Sequence, residues 1–204
     1  MSDQSFRIST TLSKVPDAPT VFDFVVECRL IGEDGEVSQA EAIGKLEGFL
    51  ADPGYLPEDH EDWYFDIFDM RSGHAAEAFD ILVEHRALIE SALPNSDLLE
   101  MGSGVAMLER ASINPQYRGK GLALRLMREA LHVIGRHGLL VILKAHPDGE
   151  DVGTSQLLRL ADYYASDKWL GLRHLSMTQL PGWLVAHWDE ANVTKGDEAY
   201  WHDD

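Results

Sequence analysis

Arg118, Gly119, Lys120 and Gly121 follow one another shortly after Pro115, and they are the residue types from which proteins build anion sites. Glycine has no β-carbon, so a ligand can approach the main chain and the backbone can take angles closed to other residues. Pro115 cannot donate to a strand ladder, so pairing on that side ends there and the next amides need other acceptors. Beyond the glycines, Leu122, Leu126, Met127, Ala130 and Ile134 recur at helical spacing. A helix starting near Gly119 would present unpaired N–H groups and the positive end of its dipole. Together these features suit a phosphate or diphosphate.

Charge agrees with this chemistry. The chain carries a formal net charge of -18, yet residues 109–137 hold six Lys/Arg against two acids. Two familiar phosphate loops are excluded by spacing. A G-x-x-x-x-G-K-[ST] loop does not fit Gly119-Lys120-Gly121, and a G-x-G-x-x-G fingerprint would need glycine where Leu124 stands.

The elements that must position this corner can be read from periodicity and turn residues. Residues 1–20 read as a flexible arm, and two strands at 21–31 and 42–50 flank the turn "GEDGEV", forming a hairpin. Residues 51–69 mix prolines, acids and aromatics as a long loop. Ser72 caps a helix expected to run to residue 93, and "PNSD" breaks it. A strand at 104–113 leads into the corner, its helix runs to 137, and a strand follows at 139–147. A helix at 154–167 and two closing strands, "HLSMTQL" and "WLVAHWD", complete one domain over 21–190, with an acidic tail at 191–204.

Other reactive residues are fewer. By strand alternation, Glu109 shares a face with Val105, Met107, Ala111 and Ile113, and apolar neighbours would raise its pKa. A bulge in that strand would reverse the parity. Cys28, the single cysteine, lies in an apolar run and reads as a core residue; a reducing, cytoplasmic setting is expected. The nine histidines form no H-E-x-x-H pattern, and "DHED" at 59–62 reads as a solvated acidic run, so no metal is expected; His146, at the end of the second strand, could approach a ligand bound at the corner but reads first as a simple loop histidine. The acidic balance argues against a general nucleic-acid binder. The sequence shows neither a membrane span nor a secretory leader.

The run Gln116-Tyr117-Arg118-Gly119-Lys120-Gly121, with Ala123 as the next small residue, resembles the Q/R-x-x-G-x-G/A acetyl-CoA motif of GCN5-related N-acetyltransferases. The resemblance is firm over 98–175 and thin over 21–97. It implies an α/β (α+β) fold, with a mixed, mostly antiparallel sheet flanked by helices and two splayed central strands. It implies acetyl-CoA as cosubstrate, its pantetheine arm beside Ala111, Ser112 and Ile113. Its diphosphate would lie on the amides of 116–121, with Leu122 and Ala123 behind. Direct transfer to a primary amine would follow, the acceptor being a small cationic metabolite or a protein lysine or N-terminus. In "RLADYYASDKWLGL", Tyr164 matches the family's general acid and Tyr163 stands second, although "DKW" lengthens the usual spacing. Glu109 is the candidate to take the ammonium proton. Family members place two helices between their first two strands, whereas here a hairpin comes first. A non-catalytic acyl-CoA sensor of the same fold stays open as the alternative, and so does a homodimer.

Overall fold

A computed structural model describes residues 5–16, 18–32, 35–38, 42–52, 67–68, 71–93, 104–147, 152–176 and 181–189. Most of the 51–69 loop, including "DHED", and the 191–204 tail lie outside these residues.

Strand alternation organises the sheet. In β2 (Ala18–Leu30), Phe24, Val26 and Cys28 turn to one face and are fully buried, while Asp23, Val25 and Glu27 turn to the other. β3 (Gly44–Ala51) pairs antiparallel with it from Val21–Ala51 to Cys28–Gly44, which is the expected hairpin. The first twenty residues correct an expectation. Residues 5–16 are not a loose arm: β1 (Phe6–Val15) pairs along nearly all of β2, from Phe6–Leu30 to Val15–Ala18. Phe6 and Ile8 pack on the core, while Arg7, Ser9 and Thr11 face solvent, a period-two pattern hidden by the Ser/Thr content.

β4 (Val105–Ile113), β5 (Leu140–Lys144), β6 (Arg173–His174) and β7 (Trp183–His187) complete a seven-stranded sheet ordered β1-β2-β3-β4-β5-β7-β6. Only β4 and β5 run parallel, so the sheet is mixed and mostly antiparallel.

One face of the sheet is covered by α1 (Gly73–Glu84) and α2 (Arg86–Ala92), which lie between β3 and β4 in the chain. The single helix expected over 72–93 is divided at His85, whose φ of -117° and ψ of 23° break the helical path. Ser72 does cap the first half, accepting the Ala75 N–H at 3.1 Å. Ala75, Ala78, Ile81 and Ile89 pack on Phe49, Met107, Ile142 and Trp183.

The other face carries α3 (Leu122–Ile134) and α4 (Thr154–Ala165). Leu122, Leu126, Met127, Ala130, Leu131 and Ile134 of α3 are buried. At about 1.5–3 kcal/mol for each large side chain, this packing far exceeds the ~1 kcal/mol that a side-chain cap supplies. α3 has no such cap at Gly121, so its start is held by its apolar face and its N–H groups stay available.

Candidate active site

The site begins with a fault in the sheet. β4 and β5 pair only from Val105–Leu140 to Leu108–Leu143. Beyond Leu108, β4 continues along β3, with Glu47 opposite Arg110 and Gly48 opposite Leu108, so Glu109 is an extra residue at a bulge. Gly48 makes the bulge possible: a β-carbon there would stand 2.3 Å from the Met107 carbonyl oxygen and 2.4 Å from the Phe24 ring. The bulge bends β4 away from β5, and a gap opens between them.

The bulge also reverses the expected alternation. Val105 and Met107 pack on the α1–α2 side, whereas Ala111 and Ile113 pack on the α3–α4 side. Glu109 faces α1, where it accepts a 3.3 Å hydrogen bond from the Ser72 hydroxyl. It therefore shares no face with Ala111 and Ile113.

The corner is built as its residue types require, with a shift in detail. Asn114 opens a short 3-10 turn, Pro115–Tyr117, and α3 starts at Leu122 rather than near Gly119. Gly119 and Gly121 take the left-handed conformation, with φ of 73° and 74°. Open space lies where their β-carbons would stand, room that a ligand could fill. The amides of Gln116, Tyr117 and Arg118 are already engaged by the Asn114 side chain, the Asn114 carbonyl and the Pro115 carbonyl. Arg125 donates the first amide bond of α3, to the Gly121 carbonyl at 3.1 Å. Of the amides expected to face a ligand at 116–121, those of 116–118 are thus engaged within the turn, and the amides left without a main-chain partner are those of 119–124.

The Asn114 N–H donates to the Ile43 carbonyl, so across the planar peptide the Ile113 carbonyl points away from β3 and into the gap. There it accepts a 3.0 Å bond from the Arg118 guanidinium. Lys120 lies 5.0 Å above the Tyr117 ring.

A cleft of about 500 Å³ runs from this corner to the gap, bounded by Ile113, Gly119, Gly121, Arg159, Tyr163 and Tyr164 among others. A second cavity, about 330 Å³, adjoins it and is bordered by His74, Glu109, Arg110 and Lys144 among others. The two share Ala111, His146, Pro147 and Tyr164, so they adjoin at these residues.

The structure therefore gathers Ala111, Ile113, Tyr117, Arg118, Gly119, Gly121, Leu122, Ala123, Tyr163 and Tyr164 along the first cleft. Ser112 faces Lys45 of β3, and Gln116 and Lys120 stand exposed outside the cleft lining. Tyr164 is only 7% exposed and reaches the junction, whereas Tyr163 is 38% exposed and borders the first cleft alone.

Electrostatics sorts the titratable groups. Burial raises the Glu109 pKa, opposed by the nearby Arg71 guanidinium and the Ser72 hydrogen bond. Burial lowers the His74 pKa, and the Lys144 ammonium and His146 add to this against the opposing Glu77 carboxylate. Burial and the Asp167 carboxylate raise the Tyr163 pKa. Cys28, fully buried, is pushed up to about 11 and is inert as a nucleophile. Among the described residues no group of three or more His, Cys, Asp or Glu could hold a metal. No helix among them is long and apolar enough to cross a membrane.

Several residues escaped sequence reasoning, or, like His146, were weighed there chiefly as loop residues. Gln156, Arg159 and Leu160 line the cleft with Tyr163 because helical spacing puts them on one face of α4, a signal the sequence did contain. His146 and His74 belong to the junction and the second cavity, with ring centroids 5.4 Å apart. The "DKW" insertion also has a purpose. Its Asp167 is a buried carboxylate that binds Arg128 of α3 at 2.9 Å and accepts the N–H of Trp169 and of Leu170.

A family model described as "Acetyltransferase (GNAT) family" matches residues 51–152, half of the chain. The chain belongs to the GNAT family of acetyltransferases. No curated protein matches it. Among solved structures, AtaT complexed with acetyl-methionyl-tRNAfMet aligns with 12% identity, covering 96% of this chain and 99% of that one at a TM-score of 0.40. Arylalkylamine N-acetyltransferase 2 from Aedes aegypti aligns with 12% identity, covering 72% of this chain and 56% of that one at a TM-score of 0.33. As in the family, the GNAT sheet here splays between its parallel central strands, but its two covering helices follow the third strand.

Proposed function

We propose that this protein transfers an acetyl group from acetyl-CoA directly to a primary amine. The observation that carries this reading is the junction. An anion cradle at the start of α3 leads along a cleft to Tyr164, and a second cavity adjoins the cleft at the same tyrosine. The cradle suits the cosubstrate. Open space at two left-handed glycines, amides without intrahelical partners and the cleft-lining cations Arg118 and Arg159, with exposed Lys120 just outside, would suit a diphosphate. The pantetheine arm would lie beside Ala111 and Ile113, whose carbonyl, now held by Arg118, is turned into the gap.

In this reading Tyr164 is the general acid that protonates the departing thiolate, with Tyr163 beside it as the second candidate. A main-chain N–H near Ala111 stabilises the oxyanion. Glu109, on the acceptor side, attracts the ammonium form of the amine and takes its first proton; burial that disfavours its charged form makes it a stronger base than an exposed carboxylate. The acceptor is a small cationic amine or a protein lysine or N-terminus.

The test is calorimetry with acetyl-CoA, followed by measurement of free thiol with a panel of amines. Binding with thiol release by at least one amine supports transfer. Binding without release by any amine points instead to an acyl-CoA sensor, and absence of binding removes both readings.

A further inference from the structure

Two protons must leave an ammonium nitrogen during acetyl transfer, one before it attacks and one as the C–N bond forms. Glu109 borders only the second cavity, so it is placed for the first. The second proton leaves where both reactants meet, and a side chain bordering both clefts is placed to take it there. Among the described residues, the side chains with proton-transfer chemistry that border both are Tyr164 and His146.

His146 is held at this place by a two-rung contact between the end of β5 and the first turns of α1. Lys144 is ion-paired with Glu77, and two residues on, the His146 ring meets the His74 ring with centroids 5.4 Å apart. Glu77 and His74 lie three apart on one face of α1, so both can meet the end of β5 and the residues just beyond it.

Resting on the acetyl-transfer reading, we propose that His146, oriented by His74, is a second catalytic base that takes the amine's remaining proton as the C–N bond forms. The steps balance. Nitrogen bonds to the thioester carbon, and its excess proton moves to the His146 imidazole. The C–S bond breaks with its electron pair going to sulfur, which receives the Tyr164 hydroxyl proton. His146 then returns its proton to the Tyr164 phenolate, and Glu109 sheds the first proton to solvent. One proton is released per turnover and every group is reset.

The surroundings fit. The groups facing His146 across the second cavity are His74, Glu109, Arg110, Lys144 and Tyr164, with Glu77 behind Lys144. Burial, the Lys144 ammonium and His146 lower the His74 pKa, against the Glu77 carboxylate, so its neutral form is favoured beside His146, whose ring it meets at 5.4 Å.

The experiment compares thiol release by the wild type, His146→Ala and Glu109→Gln with two amines. One is an alkylamine, protonated at pH 7; the other is an arylamine, neutral at that pH, which needs only the second deprotonation. His146→Ala is expected to lower kcat by about 10²-fold with both amines, to leave KM for acetyl-CoA unchanged within about twofold, and to regain activity on addition of imidazole. The loss in Glu109→Gln is expected to shrink at least about tenfold when the amine is neutral. An undiminished kcat in His146→Ala overturns the proposal. So does a loss that vanishes with the arylamine, or one that imidazole does not repair and that comes with a raised KM, the mark of a packing role. A wild type that releases thiol with neither these nor any other amine overturns the transfer reading, and this inference with it.

Discussion

Arg128 of α3 donates both its Nε and an Nη to the Asp167 carboxylate at 2.9 Å, and the Asp167 side chain is 1% exposed. The pair ties α3, which follows the glycine corner, to the turn just after α4, the helix that carries Tyr163 and Tyr164. Removing one partner of a buried pair costs about 3–5 kcal/mol, because the other is left uncompensated. Arg128 keeps some solvent contact, so Asp167→Ala is expected near the lower end, at about 3 kcal/mol in urea unfolding. Asp167→Asn keeps an acceptor for the Trp169 and Leu170 amides and should lose clearly less.

Gly119→Val should leave the fold standing and abolish acetyl-CoA binding. A β-branched residue at a φ of 73° carries strain of about 1–3 kcal/mol, and its methyl groups would enter the space reserved for the ligand. Calorimetry gives the affinity and circular dichroism the fold; a variant that binds like the wild type would refute the placement of the diphosphate.

Tyr164→Phe should lower kcat by about 10²–10⁴-fold with little change in KM for acetyl-CoA, since only proton donation to the thiolate is lost. Tyr163→Phe should cost markedly less, because Tyr163 borders the first cleft alone. Steady-state thiol assays of the two variants distinguish them, and the reverse order would move the acid to Tyr163.

Glu109 makes stability depend on pH with a definite sign. Its folded pKa lies above the ordinary 4.5, so the folded state holds this proton more tightly than the unfolded chain. The stabilising contribution is complete below the unfolded value and is lost as pH rises through the folded one. Glu109→Gln should therefore gain stability over the wild type at pH 7, and the gap should close below about pH 4. Urea unfolding at both pH values checks this.

What the sequence revealed was what is local. Pro115, Gly119, Lys120 and Gly121 lie within seven residues, so the turn and the helix start could be read directly. The parity of Glu109 could not, because a bulge is a mismatch between two strands and its cause, Gly48, lies on the partner. The division at His85 was masked by apolar spacing that continues through it. β1 was obscured because Ser and Thr serve equally in loose arms and in half-exposed strands. His146 read as a loop residue because its neighbour His74 arrives from a different layer of the fold.

The position of α1 and α2 in the chain has a practical outcome. They depart after β3 and rejoin at β4, two strands that lie side by side. α1 and α2 are therefore carried on an insertion between two neighbouring strands, which could be exchanged for another without changing the strand order of the sheet. Such an arrangement lets one scaffold change the company it keeps on one face while holding the same partner on the other.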